Sequence, residues 1–253
     1  MDETTAQQLI DLNRQFYQTF ASAFAATRRR IQPGVRKLLA RLPEGNWLDL
    51  GCGSGALAEA WLQSGRSGGY YGLDFSSGLL DEARQNVPAA QVQFQQADLS
   101  NSAWPEGLTE RCFAGVLCFA VLHHLPGAER RTALLQQVAN LLPPGGWFVH
   151  SVWQFDLSPR LQQRILPWET IGITPEQLEP GDTLLDWRHT LPEQAGQIGL
   201  RYVHRFELEE LSALAESSGF AIQETFESDG DGGRLGLYQV WHRQPLNRAA
   251  KDA

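Results

Sequence analysis

Three carboxylates close three successive apolar runs. They are Asp49 in Leu48-Asp49-Leu50-Gly51-Cys52-Gly53-Ser54-Gly55, Asp74 in Gly72-Leu73-Asp74-Phe75-Ser76, and Asp98 in Gln96-Ala97-Asp98-Leu99. A turn built on Gly51, Gly53 and Gly55 lets backbone approach a ligand that side chains would hold off. With Ala56 these glycines also fit the loose dinucleotide pattern, a weak signal alone. Asp49 argues against a dinucleotide, because a carboxylate two residues before the first glycine repels a pyrophosphate and suits a ligand carrying an ammonium group. Asp74 can accept both hydroxyls of a ribose. Asp98 can accept an adenine amino group with Leu99 against the ring, although by itself it reads as a cap or turn residue. The three acids together describe a site for a cationic nucleoside.

Two further groups of residues could do chemistry. His123 and His124 follow the apolar run that ends in Phe119-Ala120. Adjacent residues point in different directions, and no cysteine or acid is spaced to complete a metal site, so none is expected. One of the pair can face a cleft as a base. Arg201-Tyr202-Val203-His204 brings a planar guanidinium, a phenol and an imidazole together. The fork of Arg201 suits a carboxylate; a strand running over the surface into a helix is the competing reading.

Strands are predicted at Trp47–Leu50, Tyr70–Asp74, Val92–Gln95, Ala114–Phe119 and Trp147–Trp153, with helices over 56–62, 77–86 and 128–142 between them. Such alternation predicts a doubly wound, Rossmann-like α/β sheet with helices on both faces. Its strand ends line the crevice in which ligands bind, which is where the three acids fall. Helices are also expected over 4–24, 34–42 and 206–218, and strands at Phe220–Phe226 and Leu235–His242. That makes seven strands, the last antiparallel. The reading is one domain: N-terminal helices in 1–45, a cofactor-binding core in 46–153, an insertion with short helices over the site in 154–205, and a closing helix and strands in 206–243.

The chain has 253 residues, 42% hydrophobic and 20% charged, enough to bury a core. Net charge is −8, which does not attract nucleic acid in bulk. Yet 26–41 carries Arg28, Arg29, Arg30, Arg36, Lys37 and Arg41 without an acid, a local basic patch or a solvated helix face. The acid-bearing N-terminus does not read as a signal peptide, and no apolar run reaches the ~20 residues of a membrane span. Three cysteines without paired spacing fit a reducing cytoplasm.

The motifs of 47–153, namely the Asp49 glycine turn, Gly72–Ser76, Gln95–Ser100, Phe119–Leu125 and Leu141–Phe148, resemble those of class I methyltransferases dependent on S-adenosylmethionine. The flanks resemble the tRNA wobble-uridine carboxymethyl methyltransferases. They do so through Phe16-Tyr17, Thr27-Arg28 and Pro33, then Asp186-Trp187, Arg201–Phe206 and Glu209–Leu211. Gln32 stands where that family has Trp, and Val203 where it has a second Tyr. The resemblance implies a cofactor contact set of Tyr17, Arg28, Asp49, Gly51, Cys52, Gly53, Gly55, Asp74, Phe75, Ser76, Ala97, Asp98, Leu99, Phe119 and Ala120. In it Arg28 takes the methionine carboxylate and Tyr17 folds over it. It implies esterification of a carboxylate on tRNA uridine. Such an acceptor needs a cation or donors that orient it, Arg201 first and Tyr202 or His204 next; a phenol or amine acceptor would need a base, with His123, His124 or His204 the candidates. Arg28, Arg29, Arg30 and Arg36 would meet tRNA, and a small activator subunit is a partner of some members. The alternatives are a small-molecule methyltransferase and a non-catalytic cofactor-binding module.

Overall fold

The structure, a computed structural model, describes residues 1–27, 30–188 and 198–245. Arg28 and Arg29 therefore lie outside the described residues. Two helices open the chain, α1 (Glu3–Thr27) and α2 (Pro33–Leu39). Then come β1 (Trp47–Leu50), α3 (Ala56–Gln63), β2 (Tyr70–Asp74), α4 (Ser77–Asn86), β3 (Val92–Gln96), β4 (Gly115–Phe119), α5 (Ala128–Leu141) and β5 (Trp147–Trp153). α6 (Pro159–Gln162), β6 (Ile165–Leu166), β7 (Asp182–Trp187) and β8 (Gly199–His204) follow. The described chain closes with α7 (Leu208–Ser217), β9 (Phe220–Ser228) and β10 (Gly236–Arg243).

The main sheet has seven strands in the order β3-β2-β1-β4-β5-β10-β9, with β10 antiparallel to both neighbours, as the alternation predicted. All four residues of β1 are buried because helices cover both faces. Trp47 packs with Trp61, Tyr70 and the α2 side chains Val35, Leu38 and Leu39. Leu48 and Leu50 pack on the opposite layer with Leu134, Leu135 and Val138 of α5 and Leu211 of α7. By alternation Asp49 shares the Trp47 face. Strand order reverses between β1 and β4, so their carboxyl ends open a crevice.

The stretch between β5 and α7 differs from the short helices expected. It folds mainly as a second antiparallel sheet, β6-β7-β8, with only one-turn helices beside it. The physical reason is burial on both faces. Tyr202 packs with Leu9 and Ile173 on one side, while Leu185 and Val203 pack with Phe155 on the other. A strand covered twice shows no polar alternation for a sequence reading to find. α1 lies against this small sheet, and Asn13 pins it there. Asn13 Oδ1 accepts from the Tyr202 amide at 2.8 Å, and its Nδ2 donates to the Tyr202 and His124 carbonyls at 3.1 and 3.2 Å.

Candidate active site

The turn after β1 is built by hydrogen bonds to β2. The amides of Gly51 and Cys52 donate to the Leu73 carbonyl at 2.7 and 2.9 Å. Asp74 then ties β2 to the turn: its Oδ2 accepts from the Gly53 amide and its Oδ1 from the Ser76 amide, both at 2.9 Å. Burial pushes the Asp74 carboxyl up, and those amides pull against it. Gly51 has φ 77°, and a Cβ there would stand 2.3 Å from Val121 Cγ2, a wall of the cleft. Gly51→Ala should therefore strain the turn by about 1–2 kcal/mol. It should also push Val121 into the cleft. We expect an intact circular-dichroism spectrum but at least tenfold weaker binding of S-adenosylhomocysteine by calorimetry.

Two adjoining cavities open at this crevice. The first, about 260 Å³, is lined by Gly51, Cys52, Gly53, Asp74, Phe75, Ala97, Asp98, Leu99, Phe119 and Ala120, and is roofed by Ile10, Asn13, Arg14 and Tyr17 of α1. Asp98 there accepts from the Ser100 amide and hydroxyl at 3.0 and 2.6 Å, and from Arg14 Nη2 at 2.7 Å. Burial raises its carboxyl, but these donors hold it below the usual range, so it stays anionic. His124 also lines this cavity. Its Nδ1 lies 3.1 Å from the Tyr202 carbonyl, which only accepts, so Nδ1 carries the proton and Nε2 accepts from the Tyr17 hydroxyl at 2.9 Å. Of the adjacent histidines, His124 is the one that lines this cavity, while Arg14 and Asn13 went unassigned in the sequence reading. Arg14 and Asn13 belong to a helix whose position over the crevice is set by tertiary packing.

The second cavity, about 210 Å³, shares Cys52, Ala56, Phe119 and Ala120 with the first. Asp49 lies on its wall, 3% exposed, and accepts a hydrogen bond from the Tyr70 hydroxyl. Burial pushes the Asp49 carboxyl up to about 7; the Tyr70 hydroxyl opposes this and the Asp74 charge adds to it. A buried carboxylate that is costly to ionise alone is a receptor for a cation. Asp74 and Asp98 line the first cavity, on the far side of the glycine turn from Asp49. The glycine turn leaves nothing within 4 Å of a Cβ at Gly53, so the cradle has room for a ligand. The residues present therefore fit a nucleoside with a cationic amino-acid tail spanning both cavities. Ser76 is buried and caps α4 through the Leu79 amide at 3.4 Å.

The residues expected to act on an acceptor sit elsewhere. Arg201 is 3% exposed, its guanidinium 4.9, 5.4 and 5.1 Å from the rings of Phe16, Trp153 and Trp187. The Tyr202 hydroxyl donates to Asp182 Oδ1 at 2.7 Å. His204 lies between Asp182, 2.8 Å from Nδ1, and Glu210, 3.0 Å from Nε2. Arg131, 1% exposed, joins the same network through Glu179 and Glu210 at 2.8 and 3.1 Å. This network links β7 and β8 to α5 and α7. None of Arg201, Tyr202 and His204 lines either cavity. The polar atoms of Tyr202 and His204 are engaged by the carboxylates of Asp182 and Glu210. Glu179, Asp182 and His204 could geometrically hold a cation, but Arg131 and the imidazole already serve these carboxylates. His123 is 2% exposed, its ring 6.2 Å from Trp153. In the basic patch, Lys37 and Arg41 pair with Glu224 at 3.7 and 2.8 Å, while Arg30 and Arg36 are exposed.

Comparison with known proteins adds to this geometry. The family model described as a methyltransferase domain matches residues 24–225. The tRNA (carboxymethyluridine(34)-5-O)-methyltransferase ALKBH8 of Macaca fascicularis is 32% identical over 158 residues, 61% of this chain and 22% of that protein. The chain spans only about a fifth of the length of such relatives. The trans-aconitate 2-methyltransferase of Methylobacterium nodulans is 39% identical over 120 residues, 46% of this chain and 42% of that one. Among solved structures, a Haloferax volcanii methyltransferase in complex with the Trm112 activator has a TM-score of 0.65 at 17% identity, covering 92% of this chain and 97% of that one. That last likeness is one of fold.

Proposed function

This chain belongs to the methyltransferase-domain family of S-adenosylmethionine-dependent enzymes, and we propose that it methylates a carboxylate oxygen, that of 5-carboxymethyluridine in tRNA. The observation that carries the carboxylate is the state of His124. It is the imidazole lining the cofactor cavity, and both its nitrogens are engaged, by Tyr17 and by the Tyr202 carbonyl. A phenol or amine acceptor would need a base there; a carboxylate is already ionised at pH 7. The substrates named for the macaque and Methylobacterium relatives, carboxymethyluridine and trans-aconitate, both carry carboxyl groups.

S-adenosylmethionine supplies a methyl group made electrophilic by the sulfonium. The chain's own part is alignment. Asp49 receives the ammonium of the methionine end, Asp74 the ribose hydroxyls and Asp98 the adenine amine, while Tyr17 and Arg14 of α1 close over them. The methionine carboxylate is assigned to Arg28, which lies outside the described residues.

Support for tRNA comes from the ALKBH8 relatives and from the exposed Arg36. Affinity for bulk tRNA should fall steeply with salt, and neutralising Arg36 should reduce the slope of log affinity against log salt by about 0.7–0.9, the value of one phosphate contact. A flat salt response would remove tRNA and leave a small carboxylic acid, the reading favoured by the net charge of −8 and the Methylobacterium relative. The Haloferax neighbour supports adding a small activator subunit to the proposal. No helix among the described residues is long and apolar enough to cross a membrane.

A further inference from the structure

We infer that the acceptor's carboxylate lies in the second cavity, oriented by the Arg30 guanidinium at its opening and walled by the Trp153 indole; this rests on the carboxylate reading above. The cavity shares Cys52, Ala56, Phe119 and Ala120 with the cofactor cavity, so a molecule in it would abut the cofactor. Its polar lining is unequal. Asp49 is held by Tyr70 and faces the cofactor's cationic end. Asp229 accepts from the Gly34 amide at 3.0 Å and from the Tyr238 hydroxyl, which occupies both its oxygens. Arg30 is the cation among the described residues lining this cavity, and it is exposed. A planar fork at the rim can hold one carboxylate oxygen and leave the other to attack.

The backbone supports the same place. Among the described residues, the non-glycine residues with positive φ are Ala120 at 57° and Asp229 at 73°, and both line this cavity. Strained backbone of this kind persists where surrounding structure enforces it, often at functional sites. The Ala120 amide donates to the Ser151 carbonyl and hydroxyl, both at 3.1 Å, which fixes the seam between the two cavities. The cofactor's amino-acid end takes the Asp49 side of this roughly 210 Å³ cavity, and the Arg30 and Trp153 side is left for a carboxymethyl arm, with the rest of a larger acceptor outside.

The step balances without a proton. One carboxylate oxygen forms the new O–C bond, and the C–S bond breaks with its pair left on sulfur. The ester formed is neutral and loses its attraction for Arg30, which favours release.

The test uses the full chain with Arg30→Gln and Arg30→Lys. Free 5-carboxymethyluridine nucleoside and its methyl ester are titrated by calorimetry into protein saturated with S-adenosylhomocysteine. Affinity for S-adenosylhomocysteine is measured on its own. Expected are an acid bound at least tenfold more tightly than the ester by wild type, loss of that preference in Arg30→Gln, partial recovery in Arg30→Lys, and cofactor affinity within twofold throughout. If Arg30→Gln weakens S-adenosylhomocysteine instead, Arg30 holds the cofactor's own carboxylate and the inference is overturned. If the variants keep the acid preference, the acceptor lies elsewhere and the inference falls while the carboxylate reading stands. If wild type shows no acid preference and esterifies no carboxylate on tRNA or in a small acid, the carboxylate reading fails first.

Discussion

Titrated with S-adenosylhomocysteine from pH 8 down to pH 5, the protein should lose about 100-fold in affinity, with close to one proton released per ligand bound at the acid end. The cause is Asp49. In the free protein its carboxyl is pushed up to about 7, first by burial and then by the Asp74 charge, with the Tyr70 hydroxyl opposing. The cofactor's ammonium pairs with the ionised form only. Below pH 7 that form must be regenerated before binding, at about tenfold per pH unit. Calorimetry in two buffers of different ionisation enthalpy counts the proton. Asp49→Asn should bind about 100-fold more weakly at pH 8 and show a flat profile. Its stability should move the other way. A carboxyl raised from 3.8 to about 7 contributes stability that is whole below about 4 and is lost as pH rises through about 7. That loss is on the order of 4 kcal/mol when the native site is fully ionised. At pH 8 the amide avoids this cost, so Asp49→Asn should melt several degrees above wild type. A variant that binds normally would remove Asp49 from the cofactor's cationic end, and one that melts lower would show that the buried carboxylate does not cost stability at pH 8.

The second large effect concerns the attachment of the small sheet. Arg131→Met should cost about 3–5 kcal/mol, a drop in melting temperature on the order of 10 °C. The guanidinium is 1% exposed and bridges Glu179, Glu210 and the Leu125 carbonyl at 2.8, 3.1 and 3.1 Å. Removing it leaves half-buried carboxylates without their counter-charge, which is worse than having no network at all. The companion His204 sets a pH dependence. Burial lowers its imidazole pKa, but hydrogen bonds to Asp182 and Glu210 outweigh that and hold it above 6.5. Its contribution is therefore whole below about 6.5 and lost as pH rises through the higher native value. Urea unfolding from pH 6 to 9 should show declining stability in wild type and a flatter curve in His204→Gln. A stable Arg131→Met protein would show that the network does not hold the small sheet to the body.

What the sequence settled by itself was local. The run Leu48–Gly55 needs only a short strand and a glycine turn, and the acids at 74 and 98 close the next two units. Their convergence then follows from the handedness and adjacency of βα units, which vary little between proteins. The seven-stranded sheet and the cleft lined by Asp74, Asp98 and the glycines were legible for that reason.

Tertiary structure decided the rest, wherever partners are far apart in the chain. Arg201, Tyr202 and His204 read as exposed chemistry because their types suit an acceptor, yet Arg201 is enclosed by Phe16, Trp153 and Trp187, and His204 by Asp182 and Glu210. Arg14 reached Asp98 across 84 positions only because α1 folds back over the crevice. A side chain's chemistry depends on whether neighbours have already used its hydrogen bonds. Those neighbours are chosen by packing, which residue type and spacing do not encode.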